Sequence, residues 1–168
     1  MRRTIQQLTM AVLLGALALT PSTAQAMEEN LIDSMLCLAH DQILIDIDEP
    51  GALDLAQFAG RVYDELKRQV VNARIPFQEE LATNDVKCGF SAYAVYVFVG
   101  STGGSTRAWV VNLDVTDFLA PDYHSWVEIW NSLLYGTSTR SGGALGDELF
   151  GHVRSEIRGL VDAWQSAN

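Results

Sequence analysis

Two long stretches rich in β-branched and aromatic residues constrain the fold of this chain most. They run from Tyr93 to Val99 and from Ala108 to Leu119, and a loop of glycine, serine and threonine from Gly100 to Thr106 separates them. Runs of this composition form strands, and a short Gly-rich connection between them is typical of a hairpin. A turn at Ala120–Asp122 and a further stretch from His124 to at least Trp130 extend this hairpin into a predicted three-strand meander.

A predicted strand and a long helix precede the meander. Isoleucines alternate with other residues between Ile43 and Asp48, which predicts a half-buried strand. Asp54 and Gln57 have the spacing of a helix cap, and apolar residues then recur at helical spacing to about Arg74. This periodicity predicts the first long helix.

Helical spacing occurs in two further places. Apolar positions between Leu31 and Ala39 predict a short amphipathic helix, and a final helix is predicted from Asp147 to Trp164, after a loop from Gly136 to Gly146. Two helices cover only one face of a four-stranded sheet well, so we expect them to share that face. The predicted fold class is therefore α+β. It has a four-stranded, mostly antiparallel sheet with two long helices on one face, in the order strand, helix, three-strand meander, helix.

The first 26 residues have the three parts of a secretory signal. Arg2 and Arg3 are basic, Leu8 to Leu19 is largely apolar, and an Ala-Gln-Ala exit ends at Ala26. The apolar part is shorter than the about 20 residues that span a bilayer, so we expect cleavage and release of one soluble domain from 27 to 168. General export and twin-arginine export are both compatible with the two arginines. We expect a periplasmic or secreted location.

The composition is that of an ordinary globular domain with a strong acidic excess. Apolar residues make up 48% of the chain and charged residues 19%, which excludes a disordered or collagen-like protein. After residue 26, nine basic residues stand against 21 acidic ones, a formal charge of −12 at pH 7. This charge argues against nucleic acid and anionic membrane as partners, and no later apolar run predicts a membrane span.

Export also affects the interpretation of the two cysteines. Cys37 and Cys88 are too few for a disulfide-rich miniprotein or a four-cysteine zinc site. In an oxidising compartment they are expected to pair, and the closed loop would contribute about 4 kcal/mol in the chain-entropy description. A reactive thiol is the alternative, although the chain has no C-x-x-C motif.

The order of the predicted elements resembles that of a group of small envelope proteins. A strand, a long helix, a three-strand meander and a final helix ending in Leu160-Val161-Asp162-Ala163-Trp164 are similar to the N-terminal domain of the Tol-system propeller protein. The order is also similar to the lipoprotein partner of the lipopolysaccharide-export channel, and to small exported bacterial proteins of unknown function. The resemblance covers about residues 41 to 165. It implies this fold class and an envelope location, and it carries over no site residue.

The alternation along the strands predicts a second sheet face that the helices leave open, because successive side chains of a strand point to opposite faces. The helix-facing set is expected to be Ile43, Ile45, Ile47, Val95, Val97, Val99, Trp109, Val111, Leu113, Val115, Val127 and Ile129. The open face then combines polar groups with large aromatic rings: Asp46, Asp48, Tyr96, Phe98, Asn112, Asp114, Thr116, Trp126, Glu128 and Trp130.

An apolar patch with a polar rim is typical of a binding surface. We therefore predict a partner-binding site formed by Tyr96, Phe98, Asp114, Trp126, Glu128 and Trp130. Two alternatives explain the same residues without an external partner: the N-terminal segment covers this face, or a second copy buries it. Helix packing on the opposite side would also turn the aromatic residues into core.

The sequence predicts no metal, cofactor or catalytic site. His40, His124 and His152 lie far apart and outside the spacings of zinc ligands. Asp46 and Asp48 resemble the start of a calcium loop, but the later ligand positions do not fit. Both glycine-rich loops lack the lysine of a phosphate-binding loop.

Two functions follow from this interpretation. The first is a non-catalytic exported binding or adaptor protein of the cell envelope, which engages an envelope protein or ligand through the open face. The alternative is a small exported hydrolase or small-molecule-binding protein that uses a cleft beside the 136–146 loop, with His124 and with Asp114 or Glu128 as candidate acid–base groups. Since no G-x-S-x-G motif is present, we prefer the first.

Overall fold

The computed structural model describes residues 28–79, 92–118 and 126–168. Three features singled out in the sequence lie outside these ranges: the 1–26 secretory segment, Cys88 and His124. Within the described ranges, no helix is long and apolar enough to cross a bilayer.

Two long helices and one mixed sheet make up the described chain. Helix α1 spans Leu55–Ala73 and helix α2 spans Gly142–Ala167. Short 3-10 turns occupy Glu28–Leu31 and His40–Gln42. The strands are β1 (Met35–Leu38), β2 (Ile43–Ile47), β3 (Phe77–Glu79), β4 (Ala92–Ser101), β5 (Arg107–Phe118) and β6 (Trp126–Ser138).

The sheet order is β3-β1-β4-β5-β6, and β2 pairs with the part of β4 that lies beyond β1. Strands β4, β5 and β6 form an antiparallel meander, as predicted. Strands β1 and β2 run parallel to β4, and β3 runs parallel to β1. The α+β class and the two long helices are confirmed, whereas the predicted four mostly antiparallel strands are replaced by six in a mixed sheet.

Strand β1 lies where the sequence predicted a short helix from Leu31 to Ala39, so that prediction was wrong. Its four residues, Met35 to Leu38, form an unbroken apolar run between β3 and β4. Leu36, Cys37 and Leu38 are all buried, so β1 is buried on both faces and lacks the alternation that identifies a half-buried strand. A run this short does not distinguish a buried strand from a helix.

The first long helix begins and ends where the sequence predicted. The Asp54 carboxylate accepts a hydrogen bond from the Gln57 backbone N–H at 3.0 Å, which caps the N-terminus. Helix α1 ends at Ala73, and Arg74 adopts a left-handed conformation with φ 58° before Pro76. Such a left-handed residue is a common way to end a helix.

The predicted loop from Gly136 to Gly146 is mostly regular structure. Strand β6 continues through Gly136 to Ser138, and α2 begins at Gly142. At Gly136, a Cβ atom would lie 2.6 Å from Cζ2 of Trp109, its partner across the strands. This glycine therefore leaves room for an indole ring and does not mark a turn.

One apolar core joins both helices to a single face of the sheet, so the helices share that face as predicted. Among the fully buried side chains are Phe58, Val62 and Leu66 of α1, Leu149, Val153 and Ile157 of α2, and Val97, Val111 and Leu113 of the sheet. The helices do not cover the opposite face of the sheet.

Candidate functional site

Strands β4 and β5 direct alternate side chains away from the helices. Tyr96 and Phe98 are half-buried between the fully buried valines of β4, and Asn112 and Asp114 alternate in the same way on β5. The register places Tyr96 beside Asp114 and Phe98 beside Asn112. These four predicted residues therefore lie together on the face that the helices do not cover.

Trp130 lies on the other face, and its predicted place in the site was wrong. It pairs with Val115, whereas the next pair joins Thr116 to Glu128, so Ile129 is an extra residue in β6. Such a bulge shifts the alternation of a strand by one residue. Glu128 consequently stays on the open face, while Trp130 turns into the core and is only 4% exposed.

For Trp126, the structure describes the position of the backbone only. It pairs with Phe118 at the start of β6, and its side chain lies outside the described residues. Its predicted role in binding therefore stays a prediction.

Three exposed apolar side chains extend the open face beyond the predicted set. Leu44 is 51% exposed, Leu133 46% and Tyr135 68%. Leu44 pairs with Phe98 and Leu133 pairs with Asn112, and Tyr135 follows Leu133 at the next position on the same face. Leu133 and Tyr135 are absent from the predicted set because the predicted open-face positions end at Trp130. The strand-forming run Leu133-Leu134-Tyr135 was the available signal.

Three side chains form a polar triad in the middle of this face: Asn112, Asp114 and Asn131. The Asn112 amide donates to Asp114 Oδ2 at 2.6 Å, and the Asn131 amide donates to Asp114 Oδ1. The Asn131 amide also lies 3.1 Å from Asn112 Oδ1. Because these bonds hold all three planar groups in place, the triad has a fixed arrangement of donors and acceptors on this face.

We call the polar triad and its apolar neighbours the open-face patch. Its members are Leu44, Tyr96, Phe98, Asn112, Asp114, Asn131, Leu133 and Tyr135. The Phe98 ring lies against Gly100, where a Cβ atom would be 3.0 Å from its Cε1 and Cζ. Gly100 thus allows the ring to lie close to the sheet.

The negative charge of Asp114 acts on the second predicted carboxylate, Glu128. Partial burial, and secondly the negative charge of Asp114, raise the pKa of the Glu128 carboxyl above its usual value. The Glu128 carboxyl therefore resists ionisation more than an isolated glutamate would.

This coupling leads to a prediction about pH. Because the folded-state pKa of Glu128 is raised, the group favours the folded state at low pH, and this contribution is lost as the pH rises through the folded-state pKa. We expect Glu128→Gln to raise the melting temperature at pH 7 and to lose this advantage as the pH falls towards 4.5. Melting curves of both proteins over this range measure the difference, and a difference independent of pH would contradict the coupling.

One end of the same sheet face is covered. Cys37 and Ala94, which pair in the register, are buried, and so is Thr116. The exposed patch thus occupies only the part of the face nearer to Leu44 and Tyr135. Cys37 is not a free thiol, and Cys88 lies outside the described residues, so the pairing Cys37–Cys88 stays a prediction.

Segment 136–146 does not line either of two clefts that the described residues form. One, of about 310 Å³, borders the patch and is lined by Asp46, Asp48, Gly100, Ser101, Thr102, Ala108, Trp109 and Val110. The other, of about 410 Å³, lies between the helices beside Arg68, Arg154 and Arg158. The cleft beside the 136–146 loop that the hydrolase alternative requires therefore stays a prediction.

The two described histidines lie in different parts of the fold. His40 stacks on Tyr63 with ring centroids 3.7 Å apart, and His152 stacks on Trp109 at 4.2 Å. Within residues 28–79, 92–118 and 126–168, no three His, Cys, Asp or Glu side chains are grouped closely enough to hold a metal ion.

No protein-family model matches this chain, and no curated protein matches it either. The geometry of the open-face patch is therefore the basis for a functional proposal. Exposed apolar side chains around a fixed set of polar groups provide contact area and direction, which are the properties of a binding surface.

Proposed function

We propose that this protein is an exported binding or adaptor protein of the cell envelope and that it engages a partner protein through the open-face patch. The observation that carries the proposal is the grouping of exposed Leu44, Leu133 and Tyr135 around the polar triad. Contiguous exposed apolar side chains on a soluble domain often mark an interaction site.

The charges on this face favour a basic partner surface. Asp46, Asp48, Asp114 and Glu128 lie on or beside the patch. In the described parts of β2, β4, β5 and β6, no Lys or Arg side chain belongs to this face. A complementary partner would present apolar side chains flanked by Lys or Arg, and its binding would weaken as salt screens these charges.

The envelope location is supported by the secretory pattern of residues 1–26 and by the resemblance to small envelope proteins. An oxidising compartment would also allow the Cys37–Cys88 disulfide. We include this disulfide in the proposal because Cys37 is buried at the covered end of the sheet face.

Affinity capture from crosslinked cell envelopes tests the proposal. We expect an envelope protein to co-purify with the wild-type protein, and its yield to fall at least several-fold with Leu44→Lys, which places a charge in the apolar part of the patch. Val71→Lys is the matched control, because Val71 of α1 is similarly exposed but lies on a helix. Quantitative mass spectrometry measures the yields.

Two results of this capture would contradict the proposal. One is a partner that is retained by Leu44→Lys and lost with Val71→Lys, because the interface would then be on the helices. The other is the absence of any envelope partner. Leu44 lies on β2, at a distance in the sheet order from β6, so the experiment does not depend on contacts made by the outer edge of β6.

A further inference from the structure

Strand β6 is a long edge strand. It has 13 residues, and in the described part of the chain it pairs on one side only, with β5. Near its start, the Asn30 side chain donates to the Ile129 carbonyl at 3.2 Å, so this end of the edge is covered. Edge strands are usually short or interrupted by proline or lysine, because their unpaired backbone groups attract other strands.

Two hydrogen bonds determine which backbone groups of β6 point outward. Asp48 N–H donates to Ser101 O on one side of β4, and Thr102 N–H donates to Ala108 O on the other. In an antiparallel ladder, successive residues bond to alternate neighbours. The even-numbered residues of β5 therefore bond to β4, and its odd-numbered residues bond to the even-numbered residues of β6. The backbone N–H and C=O groups of four odd-numbered β6 residues consequently point to the outer edge: Asn131, Leu133, Tyr135 and Thr137.

This part of the edge is uncharged in a strongly acidic protein. From Ser132 to Ser138 the strand has no charged residue and no proline, whereas the whole chain has a formal charge of −10. Two copies that met across an acidic surface would repel each other. The outer edge of β6 avoids this repulsion.

We propose that the outer edge of β6 pairs with the β6 edge of a second copy of this chain, in an antiparallel dimer with a twofold axis at Leu134. In this register, Leu133 lies opposite Tyr135 of the partner subunit, and Asn131 lies opposite Thr137 of the partner subunit. All four outward-pointing residues gain hydrogen-bonded partners. The pairing provides hydrogen-bond partners for the backbone N–H and C=O groups that an edge strand without proline otherwise exposes.

The side chains on both faces suit this register. On the open face, each leucine–tyrosine contact is an aromatic–aliphatic pair of the kind that stabilises adjacent strands. On the helix side, the half-buried Leu134 packs beside its own symmetry mate and loses its remaining exposure. A second copy therefore fits the edge in shape, polarity and charge. The dimer joins two open-face patches in one continuous sheet, and it does not depend on the proposed envelope partner.

Sedimentation velocity of the purified protein tests the dimer. A strand-to-strand interface belongs to the smallest size class, so we expect a dissociation constant of about 10 µM, and concentrations from about 1 to 300 µM cover the transition. Leu133→Lys introduces a charge into the apolar pair. Tyr135→Pro removes one outward-pointing N–H and leaves the hydrogen bonds to β5 intact. An edge strand tolerates proline at such a position.

We expect each β6 variant to raise the dissociation constant about tenfold or more, which corresponds to about 1.4 kcal/mol. Leu44→Lys is the control, because Leu44 is equally exposed on the same face but lies on β2; it should dimerise as the wild type does. Circular dichroism checks that the variants are folded. Amide exchange of Leu133 and Tyr135 in the wild type should also slow as its concentration rises.

Three results would overturn the proposal. The first is a monomer at every concentration. The second is a dimer that both folded β6 variants retain, and the third is one that Leu44→Lys abolishes. If neither β6 variant folds, amide exchange that is independent of wild-type concentration overturns it equally. A protein that stays monomeric and whose β6 edge binds a strand of another protein would likewise overturn the dimer, because the edge would then be a binding site for that other protein.

Discussion

Trp130→Ala should lower the free energy of unfolding by about 3–5 kcal/mol, the loss typical of a large aromatic side chain removed from a core. Trp130 is almost fully buried on the helix side of β6 and belongs to the main apolar cluster. Its indole Nε1 has no hydrogen-bond partner among the described residues. Its contribution to stability is therefore packing, and Trp130→Phe should lose less than Trp130→Ala.

Tyr135→Ala is the matched comparison for this prediction. Tyr135 is the most exposed of the large apolar side chains, so its loss should change the stability of the monomer by less than about 0.5 kcal/mol. Urea denaturation at a concentration low enough to keep the protein monomeric measures both variants. A neutral Trp130→Ala together with a strongly destabilising Tyr135→Ala would mean that the bulge is absent and that the faces of β6 are reversed.

Arg107→Met should lower the free energy of unfolding by about 2–3 kcal/mol, because it removes the charged donor of three hydrogen bonds to backbone carbonyls. Arg107 is buried, and its guanidinium donates to the carbonyls of Asp48 at 2.7 Å, Thr102 at 3.1 Å and Glu49 at 3.3 Å. It thereby joins the segment after β2 to the loop between β4 and β5. Glu49, at φ 48°, is held in a left-handed conformation in this segment.

Glu49→Gln distinguishes the carbonyl contacts of Arg107 from its ion pair. The Glu49 carboxylate is exposed and lies 3.7 Å from the guanidinium, so the ion pair should contribute less than about 1 kcal/mol. A glutamine at this position still has an oxygen to accept the Gly104 N–H, which the carboxylate accepts at 2.9 Å. Denaturation curves that show equal losses for Glu49→Gln and Arg107→Met would contradict the importance of the carbonyl contacts.

The parts of the fold that the sequence predicted are those where one periodicity runs without interruption. The Asp54 cap and the helical spacing after it predicted α1, and the β-branched runs predicted the meander. Strands β1 and β3 were missed for a physical reason. They have only four and three residues, and β1 is buried on both sides, so neither shows an alternation.

The residues of the open face were predicted correctly where the strands are regular and missed beyond the bulge. Tyr96, Phe98, Asp114 and Glu128 lie on straight stretches, so alternation alone assigned them to the open face. The extra residue at Ile129 reverses the assignment for every later position of β6. Its location depends on which residues of β5 pair with β6, and that information is absent from the sequence of β6 alone.

The central claim is that the open-face patch contacts a partner in the cell envelope. Photocrosslinking in living cells tests it most directly, with a photoreactive amino acid at Leu44 in one protein and at Val71 in another. These two positions are about equally exposed, one on the patch and the other on α1. We expect an adduct with one envelope protein from Leu44 and none from Val71. An adduct from Val71 alone, or none from Leu44, would contradict it.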